Sequence, residues 1–105
     1  MTRSIKRPAR RTIIWNKTQG HCAHCGRLIQ AGNQTVDHFI PQADGGGSDK
    51  RNLMPLCRSC NMRRSDEPVD PWEYYRYAPK WAKRDCEEYE KEWRSFHTNL
   101  AGELV

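Results

Sequence analysis

The feature that most constrains this chain is a pair of short cysteine motifs, Cys22-Ala23-His24-Cys25 and Cys57-Arg58-Ser59-Cys60, separated by 31 residues. Each motif turns two thiolates toward one point, and two such motifs supply the four sulfur ligands of a tetrahedral zinc site. The stretch between them must then fold as a loop whose ends are stapled together. The chain needs such a staple. With 105 residues, 36% of them apolar, and a mean hydropathy of −1.00, it has little core to bury. A structural zinc contributes on the order of 10 kcal/mol to folding, comparable with the whole stability of a small domain. Cys22, Cys25, Cys57 and Cys60 are therefore assigned to folding. Cys86 has no partner in the pattern and reads as a core thiol.

Charge is unevenly spread. Residues 1–36 carry seven Lys/Arg and no acid, residues 37–65 five bases and three acids, and residues 66–105 six bases and ten acids, a running balance of +7, +2 and −4. A basic front attached to an acidic tail implies that one face meets a polyanion, for which nucleic acid is the natural candidate. Residues 1–9 are read as a basic arm, either touching that polyanion or serving as a disordered solubilising tail. The basic start lacks the apolar stretch of a signal peptide, and no apolar run approaches the roughly 20 residues of a membrane span. The expectation is a soluble, cytoplasmic protein without membrane contact, in a reducing compartment where cysteine pairs bind metal before they form disulfides.

Local patterns place the elements. Arg10 to Gln19 reads as a short helix ended by Gly20, and Thr35 to Ile40 as a strand ended by Pro41 and the loop Asp44-Gly45-Gly46-Gly47-Ser48. Asn52 to Leu56 returns as a second extended piece, and Arg58 to about Ser65 is helical, giving a ββα unit. Asp70, Pro71 and Glu73 have the form of an N-cap, N1 and capping-box acid, so a helix begins near Pro71 and pauses near Pro79. A longer helix carries an apolar stripe at Ala82, Cys86, Tyr89, Trp93, Phe96 and Leu100. At under three heptads, packing on the zinc unit is favoured over a coiled coil. The fold class is α+β, with residues 10–66 as the zinc-stapled unit and 67–105 as a helical extension packed on it.

Between and beside the cysteine pairs sit Asp37-His38, Asn52 and Asn61. Phosphodiester hydrolysis needs an activated water, a cation to stabilise charge on the phosphoryl group and something to hold the base. Histidine, with an ordinary pKa near 6.5, is suited to accept a proton from water, so His38 is the candidate base. Asp37 offers a carboxylate oxygen to a divalent ion, and Asn61, one residue after Cys60, offers an amide oxygen from the helix the zinc anchors. Oxygen ligands suit Mg²⁺ or Mn²⁺. Asn52 opens the second extended piece, where its amide would brace the loop facing His38. Singly each residue has a duller reading as a turn cap or surface group; together they form a site. His21, His24 and His97 lack comparable partners and are read as solvent-facing or structural.

The run Val36-Asp37-His38-Phe39-Ile40-Pro41, the glycine-rich loop, Asn52-Leu53-Met54-Pro55-Leu56-Cys57 and Cys60-Asn61 resembles the HNH endonuclease family over roughly residues 20 to 65. The resemblance implies a ββα-metal fold in which His38 is the general base, Asp37 and Asn61 hold the catalytic metal and Asn52 orients the histidine. It also implies DNA cleavage to 5′-phosphate and 3′-hydroxyl ends. With asparagine where the family often has a final histidine, the site is the HNN variant, which favours oxygen-preferring ions. Similar small HNH proteins occur in bacteriophages and mobile elements, so a packaging or other DNA-processing partner, engaged through the C-terminal helix, is a further implication.

Arg63 and Arg64 follow Asn61 on the same helix, and Lys50 and Arg51 border the loop from the other side; all four are candidates for phosphate contacts. Nothing reads as a base-recognising helix, so cleavage is expected to be nonspecific or partner-directed. Two other readings remain, a zinc-stabilised nucleic-acid-binding module without catalysis and a protein-interaction module built on the C-terminal helix.

Overall fold

The computed structural model describes residues 9–66 and 70–98; the remainder of the basic arm, residues 67–69 and residues 99–105, with the expected stripe member Leu100, lie outside the described residues. In chain order the elements are α1 (Arg10–Asn16), β1 (Thr35–His38), β2 (Leu53–Leu56), α2 (Arg58–Asp66), α3 (Pro71–Tyr74) and α4 (Lys80–Phe96). The expected α+β class and the ββα order are both present.

Helix α1 is shorter than the apolar cluster suggests. After Asn16 the chain tightens, with Lys17 N–H donating to the Ile14 carbonyl at 3.0 Å and Gln19 N–H to Asn16 at 3.2 Å. Gly20 closes this turn with a φ of +82°, and a Cβ there would lie 2.6 Å from the Trp15 ring, so only glycine fits.

Strands β1 and β2 are antiparallel, pairing Thr35 with Leu56, Val36 with Pro55, Asp37 with Met54 and His38 with Leu53. β2 is fully buried and β1 half-buried, so β2 forms the floor of the core. β1 ends at His38 and not at Ile40 as the β-branched run implies. The reason is local: the Ile40 N–H and carbonyl are taken by the Asn52 side chain, which replaces the next rung of the ladder. The loop that follows folds back tightly, with Gly46 N–H on the Pro41 carbonyl at 2.9 Å. A Cβ at Gly46 would sit 1.7 Å from the Ile40 carbonyl oxygen, so this position too admits no side chain.

Asp70 caps α3 as its sequence indicates, its Oδ1 accepting from Trp72 N–H at 2.9 Å. The chain then docks on the first cysteine turn through Tyr77 N–H to the Ala23 carbonyl, 2.8 Å. α4 lays Ala82 and Cys86 into the core, with Tyr89 and Trp93 packed against its edge. Phe96 departs from the stripe and is 85% exposed, because the last turn of α4 runs beyond the apolar surface the core offers. One buried cluster joins Ile29, Phe39, Met54 and Leu56 to Tyr74, Tyr75, Ala78, Ala82 and Cys86, so the extension and the stapled unit share a core. Cys86 is fully buried there, with burial pushing its thiol up to about 12. No described helix is long and apolar enough to cross a membrane.

Candidate functional site

Two clusters lie along α2. The first is the cysteine cradle. Cys22 and Cys25 sit on a tight turn closed by Gly26 N–H to the Cys22 carbonyl, 2.9 Å, and tied to β2 by Ala23 N–H to the Pro55 carbonyl, 3.0 Å. Cys57 leaves β2 and Cys60 lies in the first turn of α2. The four sulfurs lie within 4.8 Å of one another, and Cys25 and Cys57 Sγ are 3.9 Å apart. A Zn–S bond of about 2.3 Å in a tetrahedron requires sulfurs about 3.8 Å apart, so the donor set fits one zinc ion. His24 lines the cradle, its Nδ1 3.2 Å from Cys60 Sγ and its ring stacked on Tyr74 at 4.0 Å. Burial, with the charges of Arg76 and Arg63, holds this imidazole below its usual range. In the tautomer that carries its proton on Nδ1, this ring can donate to the Cys60 sulfur.

The second cluster sits where β1 ends. Asn52 is fully buried and uses its whole amide: Oδ1 accepts from Ile40 N–H at 2.8 Å, while Nδ2 donates to the Ile40 carbonyl at 3.2 Å and the Gly47 carbonyl at 2.9 Å. It thereby pins the segment after His38 to the glycine loop. The Asn52 carbonyl also accepts from Phe39 N–H at 2.7 Å, so both sides of the turn hang on this one residue. His38 Nε2 is buried and has no hydrogen-bond partner among the described residues.

Asp37 is largely enclosed. Its Oδ2 accepts from Arg64 Nε at 2.5 Å and from the Tyr75 hydroxyl. Burial pushes this carboxyl up; the Tyr75 hydrogen bond, the Arg64 guanidinium and His38 act against that rise. Arg64 also donates through Nη2 to the His38 and Phe39 carbonyls, at 3.3 and 3.4 Å. Asn61 precedes Arg64 by three residues and therefore shares its face of α2, the face turned to β1. Its own N–H donates to the Cys57 carbonyl at 3.0 Å, linking it to the cradle.

The arginines expected at phosphates divide. Arg63 and Lys50 are exposed. Arg64 has the internal partners just named. Arg51 pairs with Asp49 at 2.9 Å and with Glu92 of α4 at 2.7 Å, and lies over the Tyr89 ring. The Tyr89 hydroxyl in turn accepts from Gly47 N–H at 2.8 Å, so α4 holds the glycine loop from outside. From the sequence, Tyr75 had no role and Tyr89 stood only in the apolar stripe of α4, without its hydrogen bond to the glycine loop. The signal available for Tyr75 was a capped turn of aromatic residues, Trp72, Tyr74 and Tyr75, directly after the ββα unit.

Residues 22–67 match the model of the HNH endonuclease family. This segment is an HNH domain. The chain is also 36% identical over 52 residues to a CRISPR-associated endonuclease Cas9 of Corynebacterium diphtheriae, a match covering 49% of this chain and 5% of that protein. A CRISPR-associated endonuclease Cas9 of Actinomyces naeslundii is 29% identical over 83 residues, 78% of this chain and 8% of the relative. The chain thus spans under a tenth of either relative. Both matches are longer than the HNH segment and extend outside it, the second by more.

Proposed function

We propose that this protein is a metal-dependent DNA endonuclease whose centre is Asp37, His38, Asn52 and Asn61. The observation that carries the reading is His38, the chain neighbour of Asp37, whose buried Nε2 lacks a hydrogen-bond partner among the described residues. An unsatisfied buried polar group costs about 1–3 kcal/mol, a cost relieved when a water or substrate oxygen reaches the ring. The donors of Asp37 and Asn61 are a carboxylate and an amide oxygen, which fit Mg²⁺ or Mn²⁺. A divalent ion bound there supplies neutralisation of charge on the phosphoryl oxygens and the leaving oxygen.

The chain's own residues do the rest. His38 accepts the proton of the attacking water at Nε2. Asn52 fixes the turn that carries His38 by engaging the Ile40 backbone and the Gly47 carbonyl. Arg64 holds the same turn from α2 through the His38 and Phe39 carbonyls. Attack at phosphorus with departure of O3′ leaves a 5′-phosphate and a 3′-hydroxyl. Lys50 and Arg63, both exposed, hold the DNA backbone, together with the basic arm of residues 1–9. Residues 10–66 act as the nuclease unit, and residues 67–105 steady it and offer the outer face of α4 to a DNA-processing partner.

The test is conversion of supercoiled plasmid in Mg²⁺ or Mn²⁺, with the ends mapped by ligation and phosphatase sensitivity. His38→Ala should abolish conversion while retaining one zinc per chain; cutting that persists in this variant sinks the reading. The engagement of Asp37 by Arg64 and Tyr75 favours a second reading, a zinc-stabilised nucleic-acid-binding module without catalysis. That module would show salt-sensitive DNA binding and no cleavage with any divalent ion.

A further inference from the structure

The HNH match ends at residue 67, yet the centre inside it receives a side chain from beyond that point. Tyr75 is fully buried, and its hydroxyl donates to Asp37 Oδ2, the same oxygen that meets Arg64 Nε. A buried phenol needs an acceptor, and the acceptor here is the side chain assigned to the catalytic metal. The ring has little freedom: it packs toward Phe39, with centroids 6.3 Å apart, and the Arg64 guanidinium lies 5.6 Å from its centroid. Its neighbour Tyr74 donates its hydroxyl to the Cys60 carbonyl, and the Asp70 cap and the Tyr77 to Ala23 hydrogen bond hold the segment at both ends. Adjacent tyrosines therefore reach the two clusters on α2, one each.

We propose that Tyr75 is a positioning residue for the divalent metal: its hydroxyl, with Arg64, holds Oδ2 of Asp37 so that the other carboxylate oxygen is presented to the cation. The inference rests on the reading of Asp37 as a metal ligand. Groups that orient a metal-binding carboxylate are commonly worth 10- to 100-fold in metal affinity. A freely rotating carboxylate loses that advantage, while the aromatic packing is unchanged when only the hydroxyl is removed.

The experiment uses the full-length, zinc-loaded protein and Mn²⁺ as probe, with free Mn²⁺ counted by electron paramagnetic resonance. Tyr75→Phe should bind Mn²⁺ about 10- to 100-fold more weakly than the wild type. In plasmid assays its half-saturating Mn²⁺ should rise by the same factor, with a smaller change in rate at saturation. In an Asp37→Asn background the same substitution should have no further effect on Mn²⁺ binding. Wild-type affinity in Tyr75→Phe, an equal loss in the Asp37→Asn background, or a wild type that binds no Mn²⁺ overturns the proposal. Weakened Mn²⁺ binding in a protein that does not cut plasmid upholds the role of Tyr75 and overturns the nuclease reading instead.

Discussion

The cysteine cradle and the Asp37 centre share helix α2, and they are built in opposite ways. In the cradle four like atoms from two turns converge within 4.8 Å, and every neighbouring contact, from the backbone of Ala23 to the ring of His24, closes the set further. At Asp37 the groups are unlike, come from a strand end, a loop, a helix and a distant aromatic turn, and include a ring nitrogen with no described partner. A set that one ion satisfies completely lowers the energy of the folded chain. One that stays partly unsatisfied keeps capacity for a substrate, and its parts must be held by other contacts. The Asn52 amide supplies most of that holding, which is why a neutral side chain is among the most buried groups in the protein.

The comparison breaks most visibly at the cradle. Chelation of zinc, or Cys60→Ser, should remove on the order of 10 kcal/mol and unfold the chain, read as loss of amide dispersion in proton NMR spectra. A chain that stays folded without zinc would erase the distinction between the two clusters. Next, His38→Ala should lower cleavage about 10²- to 10⁴-fold with the melting temperature and zinc content preserved. Asn52→Ala should act on both stability and activity. It strands the Ile40 N–H and carbonyl and the Gly47 carbonyl, for a loss of about 2–4 kcal/mol in denaturant unfolding, with cleavage falling at temperatures where the protein is still folded. The smallest effect belongs to Arg51→Gln. Its ion pairs with Asp49 and Glu92 are on the surface, so a slight drop in melting temperature should vanish near 1 M salt, where charges are screened within about 3 Å.

Much of this was legible from the chain because its determinants are close together in sequence. The cysteine spacing, the Asp37-His38 pair, the glycine loop and the Asp70 cap are all local signals. Contacts that cross the fold had no such signal. Arg64 reaches Asp37 across 27 positions and Arg51 reaches Glu92 across 41, so in the sequence both read as candidates for phosphate contacts and their internal partners were not visible. Lys17 looked like part of the basic front. It is 4% exposed, with Nζ donating to the Lys50 and Leu53 carbonyls, and burial lowers its pKa. Phe96 continued a correct helical period past the point where there was anything to pack on. Periodicity reports which face of a helix is apolar; it carries no information on where the opposing surface stops.

The short α3 helix has a practical meaning for anyone transplanting this domain. A cut placed at the family boundary, after residue 67, would keep all four cysteines and every residue of the HNH pattern. It would also discard the two hydroxyls that Tyr74 and Tyr75 send back to Cys60 and Asp37. The smallest portable piece of this chain therefore extends at least through the turn that Tyr77 and Ala78 close. Modularity here is defined by where the last donor enters, not by where the motif ends.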